Sequence, residues 1–414
     1  MAVARVDPQR LNGTLESLGN IGSTPEGMQR IAFSPADVDG RQFVIDLMQQ
    51  AGLAVRVDTA GNVIARRAGR DGERPAIAMG SHVDTVPSGG RYDGAVGVLG
   101  AIEVVRSLND LDVVTRHPVE VLVFTNEEGT RYHRWLFGSR AMAGLLEPAD
   151  LEAVDSEGVS MAERLKAIGG DMVRVSEAGR QKGELCAYLE LHIEQGPVLH
   201  RSGIPVGVVT GITGRIVFDV RVIGAANHAG TTPMDARKDA LLAASRLIQA
   251  VNDIATSEGM CRVGTVGMMT VAPNAVNVVP GEVGLGAEFR DIDVKRLEDA
   301  ERRLNEVSQQ IAAATGAEIL VKREELGQSA TTSGSLQDMV VAAAQRLGLD
   351  SRPIPSGAGH DAQAMAAITD IAMVFVPSVD GLSHSPREYT TPEACADGAN
   401  VLLNTLLMID ESLD

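Results

Sequence analysis

Short apolar runs that are followed within three residues by histidine or acidic residues limit the folds open to this sequence. Residues 76–79 and 119–124 are such runs, each bounded by polar or glycine-rich segments, as expected for strands buried on both faces of a sheet. Between them, Val98, Ile102 and Val105 follow the spacing of a helix. The order strand, helix, strand predicts a parallel sheet with helices on both faces.

The pattern changes near Gly211 and changes back near residue 328. The intervening segments read as strand, helix, strand, strand, helix and strand, which is the split βαβ order of a small α+β, ferredoxin-like domain. The first strand begins at Ile216. The helix, two strands, helix and strand that follow it are predicted at residues 240–257, 263–271, 283–289, 293–315 and 317–322. The alternation of buried strands and helices then resumes, with a helix at 335–347, a strand at 371–376 and a helix at 392–413. We therefore predict a larger α/β domain of residues 1–211 and 328–414, with residues 212–327 inserted into it.

The charge and cysteine content of the chain limit its partners and its compartment. Lys and Arg number 37 against 55 Asp and Glu, so the net charge is −18, and nucleic acids and anionic membranes would be repelled. Cys186, Cys261 and Cys395 are too widely spaced for a disulfide framework or a zinc ribbon, which favours a reducing cytoplasm. We find neither an apolar signal segment nor a membrane-spanning run. The prediction is a cytoplasmic protein without nucleic-acid or membrane partners.

Histidine and acidic residues lie at or after the ends of several predicted strands, which include a further alternating run at residues 188–193, or precede the predicted helix that contains Val98. They are His82, Asp84, Asp93, Glu127, Glu128, His192 and His384. Because ligands of parallel α/β sheets bind at the carboxyl ends of the strands, we expect these side chains to meet in one pocket. Imidazole together with carboxylate suits Zn, Mn, Co or Ni, and the set contains no thiolate of the kind found in structural zinc sites.

This ligand set exceeds the needs of one tetrahedral ion. Asp93 lies in a glycine-flanked turn and can bridge two ions about 3.5 to 4 Å apart, so we predict two metals. Asp84 follows His82 by two residues, where its carboxylate can accept the other ring N–H and fix the tautomer. Adjacent glutamates point to opposite sides of an extended segment. One of Glu127 and Glu128 should therefore bind metal and the other act as general base.

Other classes of function have less support from the residues. The glycines between residues 89 and 100 lack the spacing of nucleotide-binding loops, and there is no G-x-S-x-G motif of a serine hydrolase. A binding protein could use the same pocket without chemistry, but it would not need a base beside a metal. His117, His133 and His200 have no partner pattern, and we interpret them as surface or core residues.

Nine segments carry a resemblance that extends in order over nearly the whole chain. They are Gly80-Ser-His-Val-Asp84, Tyr92-Asp-Gly94, Thr125-Asn-Glu-Glu-Gly129, Leu191-His-Ile-Glu-Gln-Gly196, His228-Ala-Gly-Thr-Thr-Pro233, Asn277-Val-Val-Pro-Gly281, Glu288-Phe-Arg290, Ser356-Gly-Ala-Gly-His-Asp361 and Leu382-Ser-His-Ser385. Together they closely resemble the dinuclear amidohydrolases of the M20 metallopeptidase superfamily. The most similar branch contains N-carbamoyl-L-amino acid hydrolases, β-ureidopropionase and allantoate amidohydrolase.

The resemblance implies a role for each matching position. The implied metal ligands are His82, Asp93, Glu128, His192 and His384. Asp93 would bridge the ions, Glu127 would be the general base, and Asp84 would orient His82. For the substrate, the resemblance assigns Gln195 and His228 to the ureido or amide group, Asn277 and Arg290 to the carboxylate, and Gly359 and His360 to the pocket wall. Arginine is suited to bidentate recognition of a carboxylate.

The resemblance also implies an activity and an assembly. The expected reaction is hydrolysis of an N-carbamoyl-L-amino acid to the amino acid, ammonia and carbon dioxide; the alternative is an allantoate amidohydrolase or another N-acyl-amino acid amidase. The allantoate branch often has an additional arginine shortly after the stretch that matches residues 211–214, and Arg215 lies at or one residue away from that position. The inserted domain is expected to close over the metals, excluding water, and to mediate a homodimer.

Overall fold

In a computed structural model, which describes residues 3–412, the chain forms two compact units. The larger unit comprises Met1–Gly211 and Thr331–Asp414, and the inserted unit comprises Ile212–Ala330. The outermost residues of the predicted larger domain, and the predicted last helical residue Leu413, lie outside the described residues.

The strands and helices alternate along much of the chain. The strands are β1 (Ser23–Thr24), β2 (Gly27–Met28), β3 (Ala54–Val57), β4 (Val63–Arg67), β5 (Ala76–His82), β6 (Val119–Phe124), β7 (Leu185–Ile193), β8 (Val206–Ile212), β9 (Gly214–Ile223), β10 (Asn227–His228), β11 (Val263–Ala272), β12 (Val278–Val279), β13 (Glu282–Asp291), β14 (Glu318–Gly327), β15 (Ala330–Thr331), β16 (Ser351–Ser356) and β17 (Ile371–Val376). The α-helices are α1 (Pro8–Asn20), α2 (Pro35–Gln50), α3 (Ala95–Asp110), α4 (Phe137–Met142), α5 (Pro148–Leu151), α6 (Met161–Ala167), α7 (Val198–Ser202), α8 (Ala240–Ala255), α9 (Val294–Thr315), α10 (Gly334–Leu347), α11 (Asp361–Met365) and α12 (Pro392–Ser412). Short 3-10 helices occur at Met172–Ala178, Met234–Ala236 and Val379–Gly381.

The main sheet has a parallel centre and antiparallel margins. Its order is β15-β8-β17-β7-β5-β6-β4-β3, and β16 also pairs with β8. Strands β17, β7, β5 and β6 are parallel to one another, whereas β4, β3 and β8 pair antiparallel. Every residue of β5, β6 and β17 is buried, so both faces of the sheet are covered. Helices α1, α3, α10 and α12 share one apolar cluster with the sheet, while α4 and α11 contact β6 and β7. The predicted α/β class is confirmed.

The inserted unit is an antiparallel sheet backed by two helices. The sheet order is β11-β13-β9-β14, so β13 separates β9 from β11 and the β9-α8-β11 segment is a split βαβ unit. Alternate residues of β9 and β13 are buried against α8 and α9. Helix α9 begins after Asp293, whose side chain accepts the N–H of Lys295, and ends at Gly316, which has a φ of 68°. The predicted ferredoxin-like order is confirmed.

Within residues 3–412, no helix combines the length and the apolar character needed to cross a bilayer.

Candidate metal centre

Three adjacent parallel strands deliver the first site residues to one edge of the main sheet. His82 is the last residue of β5, His192 is the penultimate residue of β7, and the pair Glu127–Glu128 follows the end of β6. Because β7, β5 and β6 are neighbours and parallel, their carboxyl ends are adjacent. The turn before α3 and the segment before α12 add Asp93 and His384.

The Asp93 carboxylate lies at the centre of this cluster. Its Oδ1 is 3.2 Å from His192 Nε2 and 3.6 Å from His82 Nε2, and its Oδ2 is 3.1 Å from His384 Nε2. Glu128 Oε2 lies 3.7 Å from His384 Nε2. One carboxylate therefore serves two groups of potential ligand atoms, as a bridging ligand must.

The main chain sets the orientation of two imidazole rings. His82 Nδ1 is 2.9 Å from the carbonyl oxygen of Asp84, and His192 Nδ1 is 2.9 Å from the carbonyl oxygen of Ile193. A carbonyl can only accept, so we assign the ring protons to Nδ1. The Nε2 lone pairs then face Asp93, which is the arrangement that a metal-binding histidine needs.

Asp84 contacts the cluster differently from the sequence expectation. Its carbonyl oxygen, not its carboxylate, is at hydrogen-bonding distance from His82; the carboxylate Oδ1 is 3.9 Å from Nδ1. The carboxylate instead accepts the main-chain N–H groups of Glu127 and Glu128, each at 3.2 Å. Spacing of two residues could not distinguish these cases, because both acceptors belong to the same residue. Asp84 thus holds the turn that carries both glutamates.

The variant Asp84→Asn tests this role. An amide offers one acceptor in place of two and turns an NH₂ toward a main-chain N–H, so the Glu127–Glu128 turn should shift. We expect metal affinity and turnover each to fall by about 10- to 100-fold. Metal titration and initial rates measure this, with the exposed Asp39→Asn as the matched control. Wild-type values for both quantities would exclude Asp84 from this role.

The electrostatics of the cluster favour a bound cation. Burial raises the pKa of Glu127 well above its usual value, and the neighbouring carboxylate of Glu128 raises it further. Burial, with the Asp93 carboxylate, raises the pKa of Glu128 to about 8. Hydrogen bonding to Asp93 raises the pKa of His384 to about 9. The raised pKa values mean that the metal-free cluster favours bound protons, which reduce the repulsion between its carboxylates. Bound metal cations would remove the same repulsion.

The available donor atoms fit a metal centre. Three groups that share members have ligand atoms within 4.8 Å of one another. They are His82–Asp93–His192, His82–Glu127–Glu128 and Asp93–Glu128–His384. Glu128 Oε1 is buried and accepts no hydrogen bond from the described residues. Nitrogen and oxygen donors without thiolate suit Zn, Mn, Co or Ni.

A further group of Glu190, His192 and His360 also has ligand atoms within 4.8 Å, but its carboxylate is already satisfied. Glu190 accepts from Ser81 Oγ at 2.8 Å and from the N–H of Ala362 at 2.8 Å. We therefore interpret Glu190 as a structural neighbour of the centre.

Three residues that the resemblance assigns to substrate lie in the larger unit beside the centre. Gln195 Nε2 donates to Asp93 Oδ2 at 2.7 Å, and the ring of His360 lies 4.4 Å from that of His192 between centroids. Burial and the nearby His192 lower the pKa of His360 well below its usual value, so this ring is neutral. A Cβ on Gly359 would lie 2.3 Å from Cζ3 of Trp135, so the indole packs directly on this glycine.

The other predicted substrate residues belong to the inserted unit. His228 is on β10, which pairs with β12, and the N–H of Ala229 donates to the carbonyl of Asn277 at 2.9 Å. His228 Nδ1 accepts the N–H groups of Gly230 and Thr231 at 3.0 and 3.2 Å, which places the proton of the neutral ring on Nε2.

Two arginines of this unit face each other across neighbouring strands. Arg290 on β13 is directly opposite Arg215 on β9. Arg290 pairs with Glu288 at 3.0 and 3.2 Å, and Arg215 pairs with Glu325 at 2.8 Å through two nitrogens. Both lie on the sheet face opposite α8 and α9.

Sequence reasoning did not identify Glu388, which is buried beside Asp93. Its carboxylate accepts the main-chain N–H groups of Tyr92 and Asp93 at 2.9 and 3.1 Å. The only available signal was its position four residues after His384, which by itself indicates nothing about burial.

Comparison with known proteins gives one family and several full-length relatives. Residues 78–408 match the family described as Peptidase family M20/M25/M40. An N-carbamoyl-L-amino acid amidohydrolase of Geobacillus stearothermophilus is 40% identical, covering 97% of this chain and 98% of its own. An allantoate deiminase of Arabidopsis thaliana is 34% identical, covering 91% of this chain and 77% of its own. The crystal structure of an amidase of the hydantoinase/carbamoylase family from Burkholderia multivorans superposes with a TM-score of 0.92, at 40% identity and 98% coverage of both chains.

Proposed function

The chain belongs to the M20/M25/M40 peptidase family, and we propose that it hydrolyses the carbamoyl C–N bond of N-carbamoyl-L-amino acids. Water is consumed, and the products are the free L-amino acid, ammonia and carbon dioxide. The enzyme is a metal-dependent amidohydrolase that acts on linear amide bonds.

One observation carries this proposal: Asp93 lies among three imidazoles, next to a glutamate pair of which one member can remain free of metal. A site of this composition suits hydrolysis and has no evident use in a protein that only binds. The 40% identity to an N-carbamoyl-L-amino acid amidohydrolase over 97% of the chain supports the ureido substrate.

We propose that the site binds two divalent ions, Zn, Mn, Co or Ni. The proposed ligands are His82, Asp93, Glu128, His192 and His384, with Asp93 shared. When bound, such ions lower the pKa of water and polarise a carbonyl oxygen. The identity of the native ion depends on availability as well as on these ligands.

Glu127 is the proposed proton carrier. Its Oε2 lies 3.5 Å from His82 Nε2, so its carboxylate reaches the cluster while Glu128 is left to bind metal. It would take a proton from the attacking water and return it to the nitrogen that leaves as the C–N bond breaks. His228, with its proton on Nε2, would donate to the carbonyl oxygen as negative charge develops there.

Substrate selection is assigned to residues around these groups. Gln195 would contact the ureido group, Asn277 and Arg290 the substrate carboxylate, and Gly359 with His360 the pocket wall. Arginine supplies two parallel N–H donors that match a carboxylate. Arg290 already presents such a pair of donors to Glu288, so the substrate carboxylate would replace or share that partner.

The variant Arg290→Lys tests carboxylate recognition. Lysine keeps the charge but loses the two-pronged geometry, so KM for N-carbamoyl-L-methionine should rise about 10- to 100-fold, the equivalent of one charged hydrogen bond. The value of kcat should change little, because this contact is equal in ground and transition states. Steady-state kinetics measure both, and the exposed Arg221→Lys on β9 is the control. An unchanged KM would remove Arg290 from the carboxylate site.

A substrate panel tests the activity itself. Metal-free protein is supplied with Mn, Co, Ni or Zn and assayed on N-carbamoyl-L-methionine, allantoate and N-acetyl-L-methionine. We expect consumption of substrate, followed by chromatography for all three compounds, to be fastest with the carbamoyl substrate. Preference for the acetyl substrate would contradict the proposal.

Allantoate amidohydrolase is the alternative function. It is supported by the Arabidopsis thaliana allantoate deiminase, at 34% identity, and by Arg215, which lies opposite Arg290 in the sheet. A second arginine at this place would suit a substrate with an additional polar group. Allantoate as the best substrate in the panel, with loss of that preference in Arg215→Ala, would establish this alternative.

We also propose a cytoplasmic homodimer. Free thiols at Cys186, Cys261 and Cys395 suit a reducing compartment. Strand β11 is an edge of the inserted sheet and exposes Met268 and Met269 by 60% and 51%, a surface suited to pairing with a second copy. Sedimentation velocity at micromolar concentration tests the dimer, and a single monomeric species would contradict it.

A further inference from the structure

Glu388 connects two chain segments that supply different ligands of the proposed centre. It lies between the 3-10 helix Val379–Gly381 and α12, and only 5% of its surface is exposed. Its Oε1 accepts the N–H groups of Tyr92 and Asp93 at 2.9 and 3.1 Å. Its Oε2 is 2.7 Å from Ser383 Oγ, and Ser383 directly precedes His384. The carboxylate thus joins the Asp93 turn to the His384 segment, almost three hundred residues later in the chain.

Ser383 extends this connection to the Asp93 side chain. Its Oγ lies 3.2 Å from Asp93 Oδ2, the same oxygen that is 3.1 Å from His384 Nε2. A serine hydroxyl has one proton, which either Glu388 Oε2 or Asp93 Oδ2 can accept at a given time. Glu388 therefore acts on Asp93 through the main-chain N–H and by positioning the serine hydroxyl that the two carboxylates share. Together these contacts fix which way the two oxygens of Asp93 point.

The segment of the same chain that contains Gly90 leaves space for the Glu388 carboxylate. A Cβ on Gly90 would lie 2.1 Å from both Cδ and Oε1 of Glu388, so only glycine can occupy position 90 while Glu388 stays in place. A buried carboxylate is costly unless it is hydrogen-bonded. Here the three donors of Tyr92, Asp93 and Ser383 satisfy it.

Glu388 is unsuited to be a ligand itself. Both of its oxygens already accept hydrogen bonds, and it is not a member of any group of ligand atoms found among residues 3–412. Its influence must therefore pass through Asp93 and His384.

We propose that Glu388 is a positioning residue that sets the affinity of one half of the metal centre, the half formed by Asp93, Glu128 and His384. The proposal rests on the proposed two-metal function. The serine contact is at Asp93 Oδ2, whereas His82 and His192 face the other oxygen, Oδ1, and are oriented by main-chain carbonyls. Loss of Glu388 should consequently weaken one ion much more than the other.

Equilibrium titration of the metal-free protein with Co²⁺ tests this inference. A chelator competes for the ion, and the visible absorption of bound Co²⁺ is recorded. The wild type should bind two ions per chain. Glu388→Ala should bind one ion with wild-type affinity and the other about 10- to 100-fold more weakly, the usual effect of removing a partner of a ligand. Ser383→Ala should weaken the same ion by a smaller factor.

Matched variants separate positioning from general destabilisation. Gly90→Ala should weaken the same ion, because its methyl group displaces Glu388, whereas Gly72→Ala has open space and should not. Glu393→Gln removes an exposed carboxylate nearby and should leave both affinities unchanged. Circular dichroism and the melting temperature of each metal-free variant report folding; a purely structural role would lower the melting temperature without separating the two ions.

The outcomes distinguish this inference from the function on which it rests. A wild type that takes up no metal would overturn the proposed function. A wild type with two ions, together with a Glu388→Ala variant that binds both normally or weakens both equally, would overturn only the role of Glu388. Should Glu388→Ala fail to fold, Glu388→Gln and Ser383→Ala decide by the same criterion, since each keeps the size of the side chain nearly unchanged.

Discussion

Replacing Glu127 with glutamine should lower turnover by about 100- to 10,000-fold while two metal ions remain bound, which is the size of effect expected when a general base is lost. Glutamine keeps the shape of the side chain but cannot carry the proton between the water and the leaving nitrogen. Glu127 is buried, and its carboxylate oxygen is 3.5 Å from His82 Nε2. Rates with N-carbamoyl-L-methionine and metal content of the same preparation measure the two effects.

Two further variants separate loss of the base from loss of metal and from a nonspecific effect of substitution. Glu128→Gln should lower metal content as well as turnover, because Glu128 is the proposed ligand of the pair. Glu152→Gln, at an exposed position of the same unit, should change neither. Near-normal turnover in Glu127→Gln would reject its role as base, and loss of metal in that variant would exchange the roles of the two glutamates.

Gly94→Ala should remove metal binding in the half of the centre that contains His82. Gly94 has a φ of 63°, and a Cβ there would lie 2.5 Å from Cε1 and Nε2 of His82. The imidazole would have to turn away from Asp93. Because loss of a ligand exceeds loss of a ligand's partner, metal affinity and turnover should each fall by more than about 100-fold.

Gly144→Ala is the matched control for this prediction. Gly144 has a φ of 71°, so alanine brings the same backbone strain, but a Cβ there has nothing within 4 Å. This variant should lose stability by about 1 kcal/mol and keep its metal affinity. Equal metal affinity in the two variants, measured by chelator competition, would show that Gly94 does not shape the site.

Much of the fold could be predicted because apolar patterns follow burial. The order of elements in the inserted unit and the parallel pairing of β5 and β6 both followed from periodicity. Irregular strands could not be predicted from periodicity. The prediction ended β14 at residue 322, but the strand continues to Gly327 past an irregularity between Arg323 and Glu325, which breaks the alternation. Strand β16 contains two prolines, a composition that argues against a strand except at an edge.

Part of the candidate site could also be predicted from the sequence, and part could not. Strand ends brought His82, Glu127 and His192 to one edge of the sheet, and the geometry of parallel sheets is enough to expect this. The contacts of Asp84 and Glu388 could not be expected. They depend on hydrogen bonds from main-chain N–H groups and on the close approach of Glu388 to Gly90. Neither kind of contact can be recognised from the spacing of residues in the sequence. The roles proposed for His228, Asn277 and Arg290 came only from resemblance, since each occupies an ordinary strand or loop position.

Anomalous diffraction from crystals of the protein reconstituted with a single transition metal tests whether the chain holds two metal ions around Asp93. Data collected at the absorption edge of that metal locate its ions without assumptions about the ligands. We expect two peaks per chain, one on each side of the Asp93 carboxylate, with Glu127 bonded to neither. A single peak, peaks remote from Asp93, or Glu127 as a direct ligand would contradict this expectation.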